Sequence, residues 1–160
     1  MTKVLVTGAT GFIALHTILE LLDRGFEVRG TARSTSKADK LNATLSTFAN
    51  KPVEIEIVSA DLSSDSGWDA AMDGVDFVQH LASPIPNTLP KDPDDLIRPA
   101  KEGALRVLRA AKSAGVRRVV MTSSFAAIAY GWGDLRPEVL DETHWSKPDN
   151  IKDNTAYTCS

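Results

Sequence analysis

One stretch near the start of the chain constrains the fold more than any other. Lys3-Val4-Leu5-Val6-Thr7 is a short apolar run, Gly8-Ala9-Thr10-Gly11 follows it without a spacer, and Phe12 to Arg24 then carries Ala14, Ile18, Leu21 and Leu22. A run closed by glycine reads as a buried strand, and apolar residues at i, i+4, i+7 and i+8 read as one face of a helix. Gly25 supplies a helix stop, and Phe26-Glu27-Val28-Arg29-Gly30-Thr31-Ala32 returns as a second strand. Strand, tight glycine turn, helix and strand in that order form a βαβ unit, whose right-handed crossover lays the second strand parallel to the first.

The rest of the chain extends this pattern. A weaker helix over Ser36 to Phe48 precedes Val53 to Val58, whose strict alternation places a third strand toward the sheet edge. Gly67 to Met72 is at most a short helix, and Val75 to Ala82 reads as a fourth strand. Pro84, Pro86 and Pro90 force a loop, and from Asp94 helical spacing runs to Gly115, with Pro99 marking either a kink or the true helix start. Arg118 to Thr122 is a fifth strand. After Ser124 no element is legible, so 125–156 reads as mostly loop, of a length expected where a loop lies over a site. The expectation is an α/β doubly wound parallel sheet of strand order 3-2-1-4-5. Ligands then bind at the carboxyl ends of the first and fourth strands, where Thr7, Ala82 and Ser123 would sit.

Composition excludes several partners. The 160 residues suit one domain, and 18 Lys+Arg against 21 Asp+Glu leave a formal charge of −3, so nothing global draws nucleic acid or an anionic membrane and any anion site is local. Cys159 stands alone, which rules out an internal disulfide, and His16, His80 and His144 have no metal-ligand spacing. The apolar triplet Val4-Leu5-Val6 is too short for a signal peptide or a span, and the expected setting is cytoplasmic.

The glycine turn carries the chemistry. In Gly8-Ala9-Thr10-Gly11-Phe12-Ile13-Ala14, Gly8 allows the tight turn, Gly11 lets backbone approach a pyrophosphate at the positive helix end, and Ala14 allows close helix–strand packing. Glycines also close ordinary turns; the position of this string at the first strand-to-helix junction is what marks a dinucleotide loop. The end of the second strand chooses between dinucleotides, since a carboxylate there holds the free ribose of NAD and an arginine accepts the 2′-phosphate of NADP. Thr31-Ala32-Arg33-Ser34 offers no acid, and Lys37 and Lys40 follow Arg33, so NADP is expected.

TGATGFIA at 7–14, TARS at 31–34, ADL at 60–62, HLASP at 80–84, TSSFAAI at 122–128 and AYTCS at 156–160 together resemble the extended short-chain dehydrogenase/reductase family. Within it the likeness is to the dihydroflavonol reductase-like branch, which includes methylglyoxal and aldehyde reductases. The resemblance implies reduction of an aldehyde or ketone, with Asp61 and Leu62 at the adenine and Ala82 and Ser83 along the nicotinamide ribose. Thr122 and Ser123 would lie beside the cofactor, Ser124 would be the catalytic serine, and Tyr157 would be the tyrosine of a Y-x-x-S-K motif. The tyrosine gives the carbonyl oxygen its proton while the serine hydrogen-bonds that oxygen.

In the family a lysine follows the motif's serine; here that position lies directly after Ser160. A free phenol ionises near pH 10 and the family's lysine cation favours the phenolate, so the 160 residues alone are expected to bind NADP weakly, to turn over slowly, and to associate through surface left bare beside the fifth strand. Two other readings stand beside the reductase. One is a non-catalytic NADP(H)-binding or dimerisation module. The other is a sugar-nucleotide epimerase or dehydratase, whose usual acid after the second strand is replaced here by Arg33.

Overall fold

The computed structural model describes residues 1–86, 88 and 90–160, with the backbone alone for Ile151. In chain order the elements are β1 (Lys3–Thr7), α1 (Phe12–Asp23), β2 (Glu27–Ala32), α2 (Ala38–Ala49), β3 (Glu56–Ser59), α3 (Trp68–Met72), β4 (Phe77–His80), α4 (Asp94–Ser113), β5 (Arg118–Met121), α5 (Ala126–Ala129) and α6 (Ala156–Cys159). Single 3-10 turns span Thr35–Lys37, Gly133–Leu135 and Ile151–Asp153. These elements fall into two compact units: residues 1–83 with 103–122, and residues 84–102 with 123–160.

The first unit holds one sheet in the order β3-β2-β1-β4-β5, every neighbouring pair parallel. This is the expected doubly wound sheet, with the strand order reversing between β1 and β4 and β3 at an edge. Alternation along β1 sends Leu5 to one face and Val6 to the other. Leu5 joins Trp68, Met72, Val78 and Val107, which brings α3 and α4 onto that face. Val6 joins Ile18, Val28, Leu41 and Leu45, which brings α1 and α2 onto the opposite one. Each such side chain contributes about 1.5–3 kcal/mol when fully buried. Gly25 ends α1 as anticipated: its N–H donates to Leu22 O at 3.1 Å and the Phe26 N–H to Leu21 O at 3.0 Å.

Several boundaries differ from the sequence reading. The third strand starts at Glu56 rather than Val53, because Val53 and Ile55 give their N–H groups to the Ser46 hydroxyl and the Asn42 side chain of α2 instead of to β2. The fourth strand is trimmed at both ends to 77–80. Pro99 is neither start nor break, since α4 runs through it from Asp94. Asp95, whose carbonyl loses its helical N–H partner to the proline, is exposed, as is Pro99. Arg29 had no assigned role; it is buried, its Nε on Glu56 at 2.7 Å and its Nη1 donating to the carbonyls of Ala70, Ala71 and Asp73 that end α3.

In the second unit, the stretch expected to be mostly loop is ordered by side chains bonding to backbone. Ser146 Oγ donates to Ala126 O at 2.6 Å and accepts from Tyr130 N at 2.9 Å. Asn150 Nδ2 donates to Gly131 O at 3.2 Å, and the Lys147 ammonium lies 4.4 Å above the Trp132 ring. Among the described residues no helix is long and apolar enough to cross a membrane.

Candidate functional site

In the first unit the carboxyl ends of all five parallel strands share one sheet edge, and Thr7 is paired in register with His80 there. Gly8 turns the chain at φ +66°, a conformation that disfavours any residue with a Cβ, and its N–H reaches Thr31 Oγ1 at 3.3 Å. Ala9 N donates to Thr31 O at 2.8 Å, and Gly11 N closes back on Gly8 O at 2.9 Å. The loop therefore rests on β2 as well as on β1. Gly30 is what permits this, because a Cβ there would stand 2.6 Å from Ala9 Cβ.

Helix α1 starts from this loop with Gly11 as N-cap, no side chain capping its N–H groups and no acid in its first turn. The positive end of the helix dipole is thus presented bare, which suits an anion. Phe12 and Ile13 beside it are 78% and 61% exposed, apolar surface at the same helix end. Thr10, Gly11 and Arg33 are exposed, as are Lys37 and Lys40 around the start of α2. Ser34 caps the intervening 3-10 turn by accepting from Ser36 N at 3.2 Å. An exposed guanidinium with two exposed lysines nearby offers charged donors of the kind an anion takes.

Asp61 is fixed by Ser63, whose N–H and hydroxyl both donate to Oδ1 at 2.8 and 2.7 Å. Those two bonds lower its pKa below the usual 3.8, with a smaller contribution from the charge of Arg33. Leu62 packs against the cluster that contains Val107, and a Cβ on Gly103 of α4 would lie 3.1 Å from Leu62 Cβ, so this residue has a packing role of its own. At the end of β4, Ala82 Cβ would lie 3.1 Å from a Cβ on Gly8. Ser83 and Thr122 end the first unit's two segments.

Sequence reasoning missed His80, Gly30 and Thr31. His80 is 3% exposed and burial lowers its pKa below 6.5. Its Nδ1 stands 2.8 Å from Thr7 Oγ1, which also accepts from Leu81 N and Ala82 N at 3.0 Å each. With both oxygen lone pairs taken, the hydroxyl hydrogen goes to Nδ1, and the imidazole is neutral with its proton on Nε2. A glycine inside a strand pattern was the available signal for Gly30.

In the second unit Ser124 and Tyr157, 33 positions apart, meet: the Tyr157 hydroxyl donates to Ser124 Oγ at 3.3 Å. Ser124 Oγ also accepts from Ala126 N at 3.2 Å, so its own hydrogen remains to be given. Tyr157 is 41% exposed on α6, which Thr155 caps by accepting from Thr158 N at 3.3 Å. Ser123 is exposed and follows Thr122 directly. Cys159 is a free cysteine, and the described residues contain no cluster able to hold a metal ion.

A glycine turn at a sheet's switch point and a Ser–Tyr hydroxyl pair define the class: the chain belongs to the NAD dependent epimerase/dehydratase family, which it matches over residues 4–160. Among individual proteins it is similar to cinnamoyl-CoA reductase 1 of Petunia hybrida, 40% identical over 98% of this chain and 45% of that protein. Dihydroflavonol 4-reductase of Dianthus caryophyllus is 37% identical over 93% of this chain and 41% of its own length. Yeast methylglyoxal/isovaleraldehyde reductase Gre2, solved in complex with NADPH, superposes with a TM-score of 0.74 at 32% identity, over 91% of this chain and 44% of that one. The chain spans about half the length of the curated relatives it matches.

Proposed function

We propose that these residues form the cofactor-binding part of an NADP-dependent oxidoreductase that reduces an aldehyde or ketone to an alcohol. In this reading Gly8, Thr10, Gly11, Phe12 and Ile13 receive the pyrophosphate, Thr7 supports them from below with its buried hydroxyl wholly engaged by His80, Leu81 and Ala82, and Arg33 with Lys37 and Lys40 receives the 2′-phosphate. The donor set fits: an uncapped helix end without acid, and three exposed cations after β2 with no carboxylate at the strand end. NADPH, when bound, supplies a hydride to the carbonyl carbon. Tyr157 gives its hydroxyl proton to the carbonyl oxygen, and Ser124, already accepting twice, hydrogen-bonds that oxygen with its own hydrogen.

The observation that carries the reading is the 3.3 Å contact between Tyr157 and Ser124, made by residues that only the fold brings together. Nucleotide binding is the primary readout, because it tests the glycine turn and Arg33 directly. Titrating the chain with NADPH and NADH by nucleotide fluorescence should show NADPH bound about tenfold more tightly, with Arg33→Ala removing most of that preference. Equal affinity for the two nucleotides, or an Arg33→Ala protein that keeps the preference, overturns the NADP assignment.

A further inference from the structure

We propose that His80 is a positioning residue for the dinucleotide. By taking the Thr7 hydroxyl hydrogen it leaves both lone pairs of that oxygen for the N–H groups of Leu81 and Ala82, and so seats the end of β4 against Gly8. The inference rests on the dinucleotide reading above.

The geometry leaves few alternatives. Thr7 is 0% exposed, so its hydroxyl has no water to donate to and needs an acceptor inside the protein. His80 Nδ1 at 2.8 Å is that acceptor. Without it, the hydroxyl either stays unsatisfied or turns toward another acceptor and gives up one of the two 3.0 Å bonds to Leu81 N and Ala82 N. Those bonds fix the first two residues beyond β4, and the second of them is Ala82, whose Cβ and Cα would lie 3.1 and 3.3 Å from a Cβ on Gly8. Ala82 thus occupies the side of Gly8 where a Cβ would stand, so the end of β4 lies directly against the glycine turn and a shift of Ala82 changes the support of that turn. Thr7 and His80 are paired residues on adjacent strands, so the coupling needs no intermediate element. His80 itself is buried and is not placed to touch the cofactor; it acts through Thr7.

The test uses the 160-residue chain with two ligands, NADPH and adenosine 2′-monophosphate, the latter carrying the adenosine and 2′-phosphate of NADP and neither phosphate of the pyrophosphate. His80→Phe keeps a ring and removes the acceptor, while His80→Asn places a carbonyl oxygen where the imidazole has Nδ1. Expected are a roughly tenfold weaker NADPH affinity for His80→Phe, a change within about twofold for adenosine 2′-monophosphate, and His80→Asn within about twofold of the parent on both. A purely structural role would weaken both ligands together and would not be rescued by Asn. If His80→Phe fails to unfold cooperatively, Thr7→Val supplies the same lesion, with Thr7→Ser as its rescue. A parent that binds NADPH while His80→Phe binds equally well, or both ligands weakening in parallel, overturns the inference alone. A parent that binds neither ligand overturns the dinucleotide reading and this inference with it.

Discussion

In the sheet-bearing unit, Leu5, Ile18, Leu45, Met72, Val78 and Val107 are each at most 1% exposed. Among the described side chains of 123–160 the buried hydrophobic residues are Ala126 and Ala129, and Ser146, Asn150 and Asn154 reach backbone carbonyls there. One region is held by apolar area removed from water, the other by directional bonds whose net contributions are about 0.5–1.5 kcal/mol each. The cofactor loop grows from the first kind of structure and the hydroxyl pair from the second. A glycine turn needs only a rigid strand and helix on either side. Two hydroxyls 33 positions apart need every intervening turn to be fixed.

The comparison breaks most visibly where a core side chain is cut. Ile18 is fully buried on α1 among Val6, Val28, Leu41 and Leu45. Ile18→Ala is expected to cost about 2–5 kcal/mol, read as a lower urea midpoint by far-ultraviolet dichroism at unchanged slope. A loss below about 1 kcal/mol would mean that the α1 face is not a close-packed core and that the two regions do not differ in kind.

The same difference explains what could be read in advance. Period-2 and period-3.6 patterns are the imprint of apolar burial, so β1, α1, β2, β4 and β5 were legible, and with them the strand order. The glycine turn was legible because its residues are consecutive. Burial by a charged residue leaves no such imprint: Arg29 sits inside a strand and gave no sign that it closes α3. Residues 125–156 carry their information in single side chains such as Ser146 and Asn154, which in sequence look like any polar loop residue. The Ser124–Tyr157 contact was expected only through family resemblance, since no periodicity spans the distance between them.

A cut in the second region is expected to be smaller in energy and more local in effect. Asn154 Nδ2 donates to Lys147 O and Asn150 O at 2.9 Å each, and its Oδ1 accepts from Thr158 Oγ1 at 3.0 Å, one residue beyond Tyr157. Asn154→Ala removes these bonds while Lys147 O and Asn150 O keep the N–H groups of Asn150 and Asp153, and it is expected to cost about 0.5–1.5 kcal/mol. Amide hydrogen exchange should quicken across 146–159 while β1 and β4 keep their protection. Equal quickening in the sheet would show that the regions do not open independently of each other.

The mildest test is pH, and it separates the regions by where each responds. Burial holds the pKa of His80 below 6.5, so above that value both folded and unfolded chains leave it neutral and its stabilising contribution is complete. As the pH falls from 6.5 through the lowered folded pKa, the unfolded chain takes up a proton that the folded one resists. Stability therefore declines, by at most about 1.4 kcal/mol per pH unit for one proton. In the second region Asp141 accepts from the Thr143 hydroxyl and N–H and from His144, bonds that lower its pKa below 3.8. Its contribution is complete above 3.8 and is lost only as the pH falls below that. Urea midpoints measured between pH 8 and 5 should drop over the lower part of the range, and His80→Asn, which has no proton to take up, should flatten that part of the curve. A parent whose midpoint is as flat as the variant's would mean that His80 is protonated as readily inside the fold as in the unfolded chain, and its neutral, Thr7-bonded state would have to be given up.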